Sequence, residues 1–214
     1  MEKYTNRREA GQILGELLLQ YAHHPDAIVL ALPRGGVPVA YPISEKLSLP
    51  LDILIVRKLG VPDHEELAMG AIASGGVVVY NDEIIHQLAI SRKMIDSVIT
   101  CEKKEMARRE IEYRGSRPFS DLTRKIIILV DDGIATGATM RAAIQALRTQ
   151  NAARIVVAVP VAAEDTCRDL VPLVDELVCP LRPDYFNAVG AWYDVFEQTT
   201  DREVIELMAL GLKS

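Results

Sequence analysis

The sequence is poor in cysteine and lacks long apolar runs. Its three cysteines, Cys101, Cys167 and Cys179, show neither CxxC pairing nor zinc-ligand spacing. We therefore expect reduced thiols rather than a disulfide or a metal site. No apolar run approaches the ~18 residues that a membrane span needs, and the N-terminal residues lack the apolar region of a signal peptide. These absences predict a cytoplasmic protein without a membrane partner.

The sequence also lacks an excess of basic residues and several common catalytic motifs. The net charge of −6 and pI of about 5.3 argue against a DNA partner. There is no GK[ST] ending of a P-loop, no GxGxxG fingerprint and no nucleophile motif of a hydrolase. The remaining composition, with 49% apolar and 25% charged residues in 214, suits one globular domain.

Short, continuous apolar runs alternate with helical patterns along most of the chain. Such runs are typical of strands buried on both faces of a parallel sheet, and the alternation predicts an α/β fold with helices flanking that sheet. In such folds ligands bind at the carboxyl ends of the strands. The five predicted strands are residues 27–32, 51–56, 126–130, 154–159 and 176–179.

Other elements are predicted outside this alternation. Asn6 and Glu9 suggest the capping box of an opening helix. Residues 68–80 read as two short strands around a Gly-Gly turn, and residues 91–113 as a highly charged helix whose charges face solvent.

The third strand leads directly into an acidic, glycine-containing loop, residues 131–139. Gly133 and Gly137 permit tight turns, and the N-terminus of the following helix suits a phosphate. Asp131 and Asp132 would repel a phosphate, but carboxylates suit ribose hydroxyls or a hydrated Mg²⁺. The plainer alternative is an acidic strand-to-helix turn capped by a threonine.

Two further basic motifs follow strands at the same predicted edge. Arg34, Gly35 and Gly36 follow the first strand, and Arg57 and Lys58 follow the second. A cation beside two glycines suggests an anion site, although a simple glycine turn is the alternative. The second pair has the alternative of two solvated charges that end a strand.

The segment IIILVDDGIATGAT resembles the PRPP-binding signature of type I phosphoribosyltransferases, where PRPP is 5-phosphoribosyl 1-diphosphate. The resemblance implies that the two acids hold the ribose hydroxyls. KLGVPDHEELAMGAI, YRGSRP and FNAVGAWYDVFEQTTD are similar to a bacterial subgroup of stand-alone members. The loop residues assigned to PRPP are Asp131, Asp132, Gly133, Ile134, Ala135, Thr136, Gly137, Ala138 and Thr139.

The resemblance also implies a diphosphate site at the two basic motifs. In the family the first of these loops often contains a cis non-proline peptide, expected here between Arg34 and Gly35. Mg²⁺ is expected as a cofactor bridged by substrate and water, with no direct protein ligand assigned. The implied catalytic residues are Arg34, Arg57, Asp131 and Asp132.

The implied reaction is displacement of diphosphate from ribose C1 by a nitrogen nucleophile, through an oxocarbenium-like transition state that must be shielded from water. A mobile cover is expected within residues 60–76, and a homodimer is the habit of the family. The hypoxanthine-guanine branch carries an aspartate where this chain has Ala135, which argues against that purine mechanism.

We expect one domain with a core at about 27–179, an insert at about 81–120 and a hood at about 180–200. The acceptor should bind in the hood, because residues 182–197 include six residues of the types that the family usually uses to stack on a base or hydrogen-bond to it, namely Tyr185, Phe186, Asn187, Trp192, Tyr193 and Phe196. Tyr185, Phe186 and Trp192 are the candidates for a base site. The alternative is that these aromatics only pack the C-terminal segment onto the core.

Two other functions compete with transfer. The fold also serves regulators that bind PRPP or a nucleotide without catalysis, but the intact Arg34-Gly35-Gly36 motif favours an enzyme. A hydrolase acting on a phosphorylated sugar has no nucleophile motif to support it. The sequence leaves the acceptor undetermined.

Overall fold

A parallel sheet forms the centre of the computed structural model, which describes residues 3–62 and 64–211. The strands are β1 (Ala27–Ala31), β2 (Leu51–Ile53), β3 (Val56–Val61), β4 (His64–Ala73), β5 (Val77–Tyr80), β6 (Ile126–Val130), β7 (Arg154–Ala158) and β8 (Glu176–Val178). The helices are α1 (Arg7–Leu17), α2 (Gly36–Leu47), α3 (Asp82–Gln87), α4 (Arg92–Arg114), α5 (Ala138–Thr149), α6 (Glu164–Leu170) and α7 (Asp201–Leu210). The order β2-β1-β6-β7-β8, parallel throughout, confirms the predicted fold class.

Helices cover both faces of this sheet, which is why its strands are apolar at successive positions. Val29 of β1 belongs to a buried cluster with Leu14 of α1 and Ile43 of α2. Leu30, the next residue of β1, belongs to a second cluster with Ile144 of α5. Each such side chain contributes roughly 1.5–3 kcal/mol on burial. The sheet thus holds β1 and β6 side by side, with their carboxyl ends at one edge.

The second predicted strand is shorter than expected because the chain leaves the parallel sheet after β2. Ile55 and Ser74 exchange hydrogen bonds, from Ile55 N to Ser74 Oγ at 3.0 Å and from Ser74 N to Ile55 O at 2.9 Å. The chain then enters a three-stranded antiparallel sheet in the order β3-β4-β5. Gly75 and Gly76, with φ of +83° and +76°, form the predicted turn between β4 and β5. Asp63, inside the predicted cover, lies outside the described residues.

The charged helix α4 is tied to the parallel sheet at its C-terminal end. Arg114 Nε lies 2.7 Å from Asp52 Oδ1 of β2, and Arg114 Nη2 donates to Ile53 O at 2.6 Å. Ser120 donates to Asp52 Oδ2 through its backbone N and its Oγ, at 3.2 and 2.8 Å.

Among the described residues, no helix has the length and apolar character needed to cross a membrane.

The N-terminal segment packs on both α2 and the C-terminal hood. Asn6 caps α1, as predicted, by accepting from Glu9 N at 3.0 Å, whereas the Glu9 carboxylate accepts from Thr5 N, one residue earlier than a standard capping box. A Cβ on Gly11 would lie 2.2 Å from Val39 O, so α1 and α2 pack at backbone distance. Tyr4 joins the hood through hydrogen bonds of 3.0 and 2.9 Å with the backbone of residues 192 and 194.

Candidate active site

The loop between β6 and α5 surrounds a cavity of about 220 Å³. Gly137, with φ of +75°, is the N-cap of α5, and as a glycine it has no side chain that could accept a hydrogen bond from the first turn. The N–H groups of the first turn have no acceptor within the helix and point out of its N-terminal end. Two neighbours brace the loop: Thr166 Oγ1 donates to Ala135 O at 2.8 Å, and Arg141 Nη2 donates to Thr136 O. This arrangement suits an anion.

Asp131 and Asp132, at the start of this loop, form a closely coupled acid pair. Asp132 N donates to Asp131 Oδ1 at 2.8 Å. Burial raises the pKa of Asp131 well above its usual value, and the neighbouring charge of Asp132 raises it further. Burial also raises the pKa of Asp132, while the Arg7 guanidinium opposes that rise. Ionised carboxylates are therefore costly here until a partner donates to them.

The loop after β1 touches the acid pair through its two glycines. A Cβ on Gly35 would lie 2.1 Å from Asp132 Oδ2, and a Cβ on Gly36 would lie 2.7 Å from Val130 O. Both distances are shorter than a Cβ atom tolerates, so a side chain at either position would force a neighbour to shift. The glycines are therefore required for close approach, and the structure brings the two predicted ligand loops into direct contact.

Arg34 lines a cavity of about 330 Å³ beside these glycines. A cis non-proline peptide is present in this loop, but it joins Pro33 to Arg34 and not Arg34 to Gly35 as predicted. Arg34 Nη1 lies 3.7 Å from Asp201 Oδ1 of α7, and its side chain is 36% exposed. The cavity is lined by Arg7, Arg34, Gly35, Asp132, Phe196, Glu197, Gln198 and Thr199.

Arg57 and Lys58 lie within β3 and not at the end of a strand of the parallel sheet. The early departure of the chain from that sheet explains the difference. Arg57 Nε donates to Glu102 Oε2 of α4 at 2.7 Å. Lys58 lines a cavity of about 240 Å³ together with Thr139, so Lys58 faces the loop between β6 and α5, whereas Arg57 does not line this cavity.

The hood contacts the loop after β6 through residues other than the three predicted for a base site. Tyr185 is 90% exposed, and Phe186 and Trp192 are half-buried. Instead, Tyr193 Oη donates to Asp132 O at 2.6 Å. A Cβ on Gly133 would lie 2.5 Å from Val189 Cγ1, so the hood lies directly against the loop.

Arg7, in the first turn of α1, is a site residue that sequence reasoning missed. Its Nε and Nη2 both lie 2.8 Å from Asp132 Oδ2. Its guanidinium also packs over the Phe196 ring, 3.8 Å from the centroid. No motif surrounds this residue, and a cation just after a helix cap is too common to attract attention.

Comparison with known proteins agrees with this geometry. A family model described as a phosphoribosyl transferase domain matches residues 2–190. Two curated proteins from strains of Mycobacterium tuberculosis, each named "Putative phosphoribosyl transferase", are 42% identical over 208 residues. The match covers 97% of this chain and 47% of each relative, so the chain spans about half the length of these proteins.

Solved structures extend the comparison to the fold. The crystal structure of TT1426 from Thermus thermophilus matches with a TM-score of 0.85 at 34% identity, covering 96% of this chain and 97% of that one. The AQ2163 protein from Aquifex aeolicus, at 12% identity and a TM-score of 0.51, covers 86% and 76% of the two chains and shares the fold alone. With the family model matching most of its length, this chain belongs to the type I phosphoribosyltransferase family.

Proposed function

We propose that the chain transfers a 5-phosphoribosyl group from PRPP to a nitrogen nucleophile and releases diphosphate. The observation that carries the proposal is the contact between the glycine loop and the acid pair, where a Cβ on Gly35 would overlap the Asp132 carboxylate. An anion-type loop, two carboxylates and a glycine loop with a cation thus share one edge. PRPP presents the complementary series of a phosphate, two hydroxyls and a diphosphate.

In this proposal the 5-phosphate binds in the cavity at the N-terminus of α5. The helix dipole and the N–H groups of residues 135–139 favour an anion there. Bracing by Thr166 and Arg141 supports the proposal because a preorganised loop loses little conformational entropy on binding. The ribose hydroxyls would donate to the carboxylates of Asp131 and Asp132, supplying the hydrogen bonds that offset the cost of their burial.

The leaving diphosphate is assigned to the loop after β1 and to the basic residues of β3. Arg34 and the N–H groups of Gly35 and Gly36 would stabilise the negative charge that develops as the bond from C1 to oxygen breaks. Arg57 and Lys58 would add positive charge from the neighbouring strand. Arg34 and Arg57 each contact a carboxylate at the rim of the proposed site, of Asp201 and Glu102 respectively.

Mg²⁺ fits this arrangement as a substrate-bridged ion. The donor set supports that assignment, because two adjacent carboxylates suit the water molecules of a hydrated Mg²⁺. When bound, the ion would neutralise charge on the diphosphate. The carboxylates of Asp131 and Asp132 would hold the sugar, and the ion would be held mainly by substrate oxygens and water.

The acceptor is proposed to be a nucleobase or a related nitrogen compound, bound beneath the hood. Val189 and Tyr193 contact the loop that carries the acid pair, so the hood lies where a nucleophile could approach the sugar. The β3–β4 region, residues 60–76, is proposed to close over the site and exclude water. Exclusion matters because water competes with the acceptor for an oxocarbenium-like centre.

The test is a diphosphate-release assay with PRPP, Mg²⁺ and a panel of purine, pyrimidine and pyridine bases. We expect release that depends on one acceptor class and that is lost in Asp131→Asn/Asp132→Asn. Arg8→Met, an exposed change on α1, is the control for handling and folding. Release by the double variant at the wild-type rate would contradict the proposal.

A further inference from the structure

Arg7 reaches the acid pair from outside the two ligand loops. Its side chain is 12% exposed, and its Nε and Nη2 both lie 2.8 Å from Asp132 Oδ2. Its third terminal group, Nη1, donates to Glu197 O of the hood segment at 2.7 Å. One guanidinium therefore joins the first turn of α1, a carboxylate of the sugar site and the backbone of the hood.

The orientation of this guanidinium is fixed by packing on several sides. Its plane packs over the Phe196 ring, 3.8 Å from the centroid. The helix that carries it is held against α2 at backbone distance, where a Cβ on Gly11 would lie 2.2 Å from Val39 O. Because α2 begins at the glycine loop, α1 has a fixed position relative to the Asp132 carboxylate. A planar fork held in this way directs its donors more narrowly than a lysine would.

The carboxylate that Arg7 engages is also fixed from the other side. Its Oδ2 lies under Gly35, where a Cβ would be 2.1 Å away. The charged and titratable groups around it are Asp131 on the same loop, Arg7 on α1, Arg34 across the shared cavity, and Tyr193 and Glu197 on the hood. Of the two cations, Arg7 makes the direct contact, whereas Arg34 pairs with Asp201.

We propose that Arg7 is a positioning residue that holds the Asp132 carboxylate in the orientation required by a sugar hydroxyl and couples that orientation to the hood. This inference rests on the proposed function, because the hydroxyl belongs to PRPP. Arg7 acts through Asp132 and through Glu197 O and does not itself touch the reacting atoms. The hood and the sugar site are consequently linked by one side chain.

A positioning role differs from direct substrate contact in its dependence on pH and on Asp132. If Arg7 supports Asp132, its removal makes ionisation of that carboxylate harder, so PRPP binding weakens most at low pH and recovers as the pH rises. If Arg7 binds substrate directly, its removal weakens binding equally at every pH. A positioning effect must also disappear once Asp132 is changed.

The experiment measures PRPP affinity in the presence of Mg²⁺ by calorimetry at pH 6, 7.5 and 9. For Arg7→Met we expect about a 10–100-fold loss at pH 6, the scale of a lost charged hydrogen bond, and only about a 3-fold loss at pH 9. Arg7→Lys, which keeps the charge without the fork, should fall between. Arg8→Met, the adjacent exposed arginine of α1, should match the wild type.

Two further measurements separate a positioning role of Arg7 from direct substrate contact. In the Asp132→Asn background, Arg7→Met should change the residual affinity by less than about 2-fold, as expected for residues that act together. In the free protein, Arg7→Met should steepen the loss of thermal stability as the pH rises, because the acid pair loses its cation. Failure of the wild type to bind PRPP would overturn the proposed function. The thermal scans of Arg7→Met would then still test whether Arg7 supports the ionised Asp132 carboxylate. Equal affinity of wild type and Arg7→Met at pH 6 would overturn the inference alone.

Discussion

Asp52 lies within β2 of the parallel sheet and Asp132 follows β6, and each carboxylate contacts one arginine, but their surroundings differ. Around Asp52, Arg114 Nε and Ile53 N each lie 2.7 Å from Oδ1, and Ser120 supplies two donors to Oδ2. Asp52 and Arg114 are both 5% exposed, so the protein itself satisfies this ion pair. The contacts bind the end of α4 to β2, which is a structural role.

The acid pair receives fewer hydrogen bonds from the described residues, with Asp132 N donating to Asp131 and the Arg7 guanidinium donating to Asp132. Burial raises the pKa of both Asp131 and Asp132, the charge of Asp132 raises the pKa of Asp131 further, and the Arg7 guanidinium is the main influence that lowers the pKa of Asp132. Such an arrangement costs stability in the free protein. In the proposed function, a bound sugar supplies the donors that satisfy the acid pair, whereas the chain itself supplies the donors that satisfy Asp52.

The largest expected effect comes from breaking the structural pair. Arg114→Met would leave Asp52 buried without its cation and should lower the free energy of unfolding by about 3–5 kcal/mol. The midpoint of urea denaturation measures this loss. Arg108→Met, which removes an exposed arginine of the same helix, should stay near the wild-type midpoint. Equal midpoints for the two variants would remove the distinction drawn for Asp52.

The next largest effect concerns the contact between the two proposed ligand loops, which follow β1 and β6. Gly35→Ala places a methyl group 2.1 Å from Asp132 Oδ2, so either the carboxylate or the loop must move. We expect PRPP affinity to fall by roughly 100-fold, because displacement at a preorganised site is costly. Calorimetry measures the loss. Gly15→Ala, where the nearest neighbour is a lysine side chain away from the site, is the matched control.

Binding that survives in Gly35→Ala with wild-type affinity would show that the glycine loop does not contribute to the ligand site. In that case the close approach would serve packing alone, as it does between Gly11 and Val39.

A smaller effect measures the loss of stability that ionisation of the buried acid pair causes. Because the folded-state pKa of Asp131 is raised above the unfolded value of about 3.9, the wild type loses stability as the pH rises from that value through the folded pKa. Asp131→Asn avoids this loss and should raise the Tm at pH 8, by roughly 2–4 °C for each kcal/mol relieved. The difference should vanish near pH 3, where both states are protonated.

Asp121→Asn provides the control of opposite sign. Hydrogen bonds from Thr123 lower the pKa of Asp121, so its carboxylate contributes stability above the unfolded value that is lost as the pH falls. The Asp121 variant should therefore be less stable than wild type at pH 8, as measured by the same thermal scans. A lower Tm for Asp131→Asn at pH 8 would contradict the view that the acid pair is costly.

The smallest effect concerns the rim of the proposed diphosphate site. Asp201 pairs with Arg34 at 3.7 Å, with both side chains partly exposed, and also accepts from Tyr113 Oη. Asp201→Asn should strengthen PRPP binding by about 2–5-fold, because a weak surface pair no longer competes for the arginine. Calorimetry at low ionic strength is the appropriate measurement. Weaker binding would show that Asp201 orients Arg34 instead.

Much of this arrangement could be predicted from the sequence because it is local. The apolar run at β6 indicated its correct position in the chain, and the adjacent acids and glycines indicated the loop that follows. The Gly75-Gly76 turn likewise required only two neighbouring residues with positive φ. Periodicity and turn chemistry act over a few residues, so a single sequence reveals them.

What could not be predicted depends on contacts between distant segments. Arg7 meets Asp132 across 125 positions, and Arg114 meets Asp52 across 62. The end of β2 was placed too late because Ile55 pairs with Ser74, a tertiary contact with no local signature. The aromatics nearest the acid pair were likewise set by how the hood packs, which composition does not specify.

The decisive measurement for PRPP binding by the acid pair is calorimetric titration of the folded wild type with PRPP and Mg²⁺, beside Asp131→Asn/Asp132→Asn. We expect binding by the wild type, loss of binding by the double variant, and a higher Tm for the free Asp131→Asn protein at pH 8. Absence of binding by the wild type at millimolar PRPP, or equal binding by both proteins, would contradict this expectation.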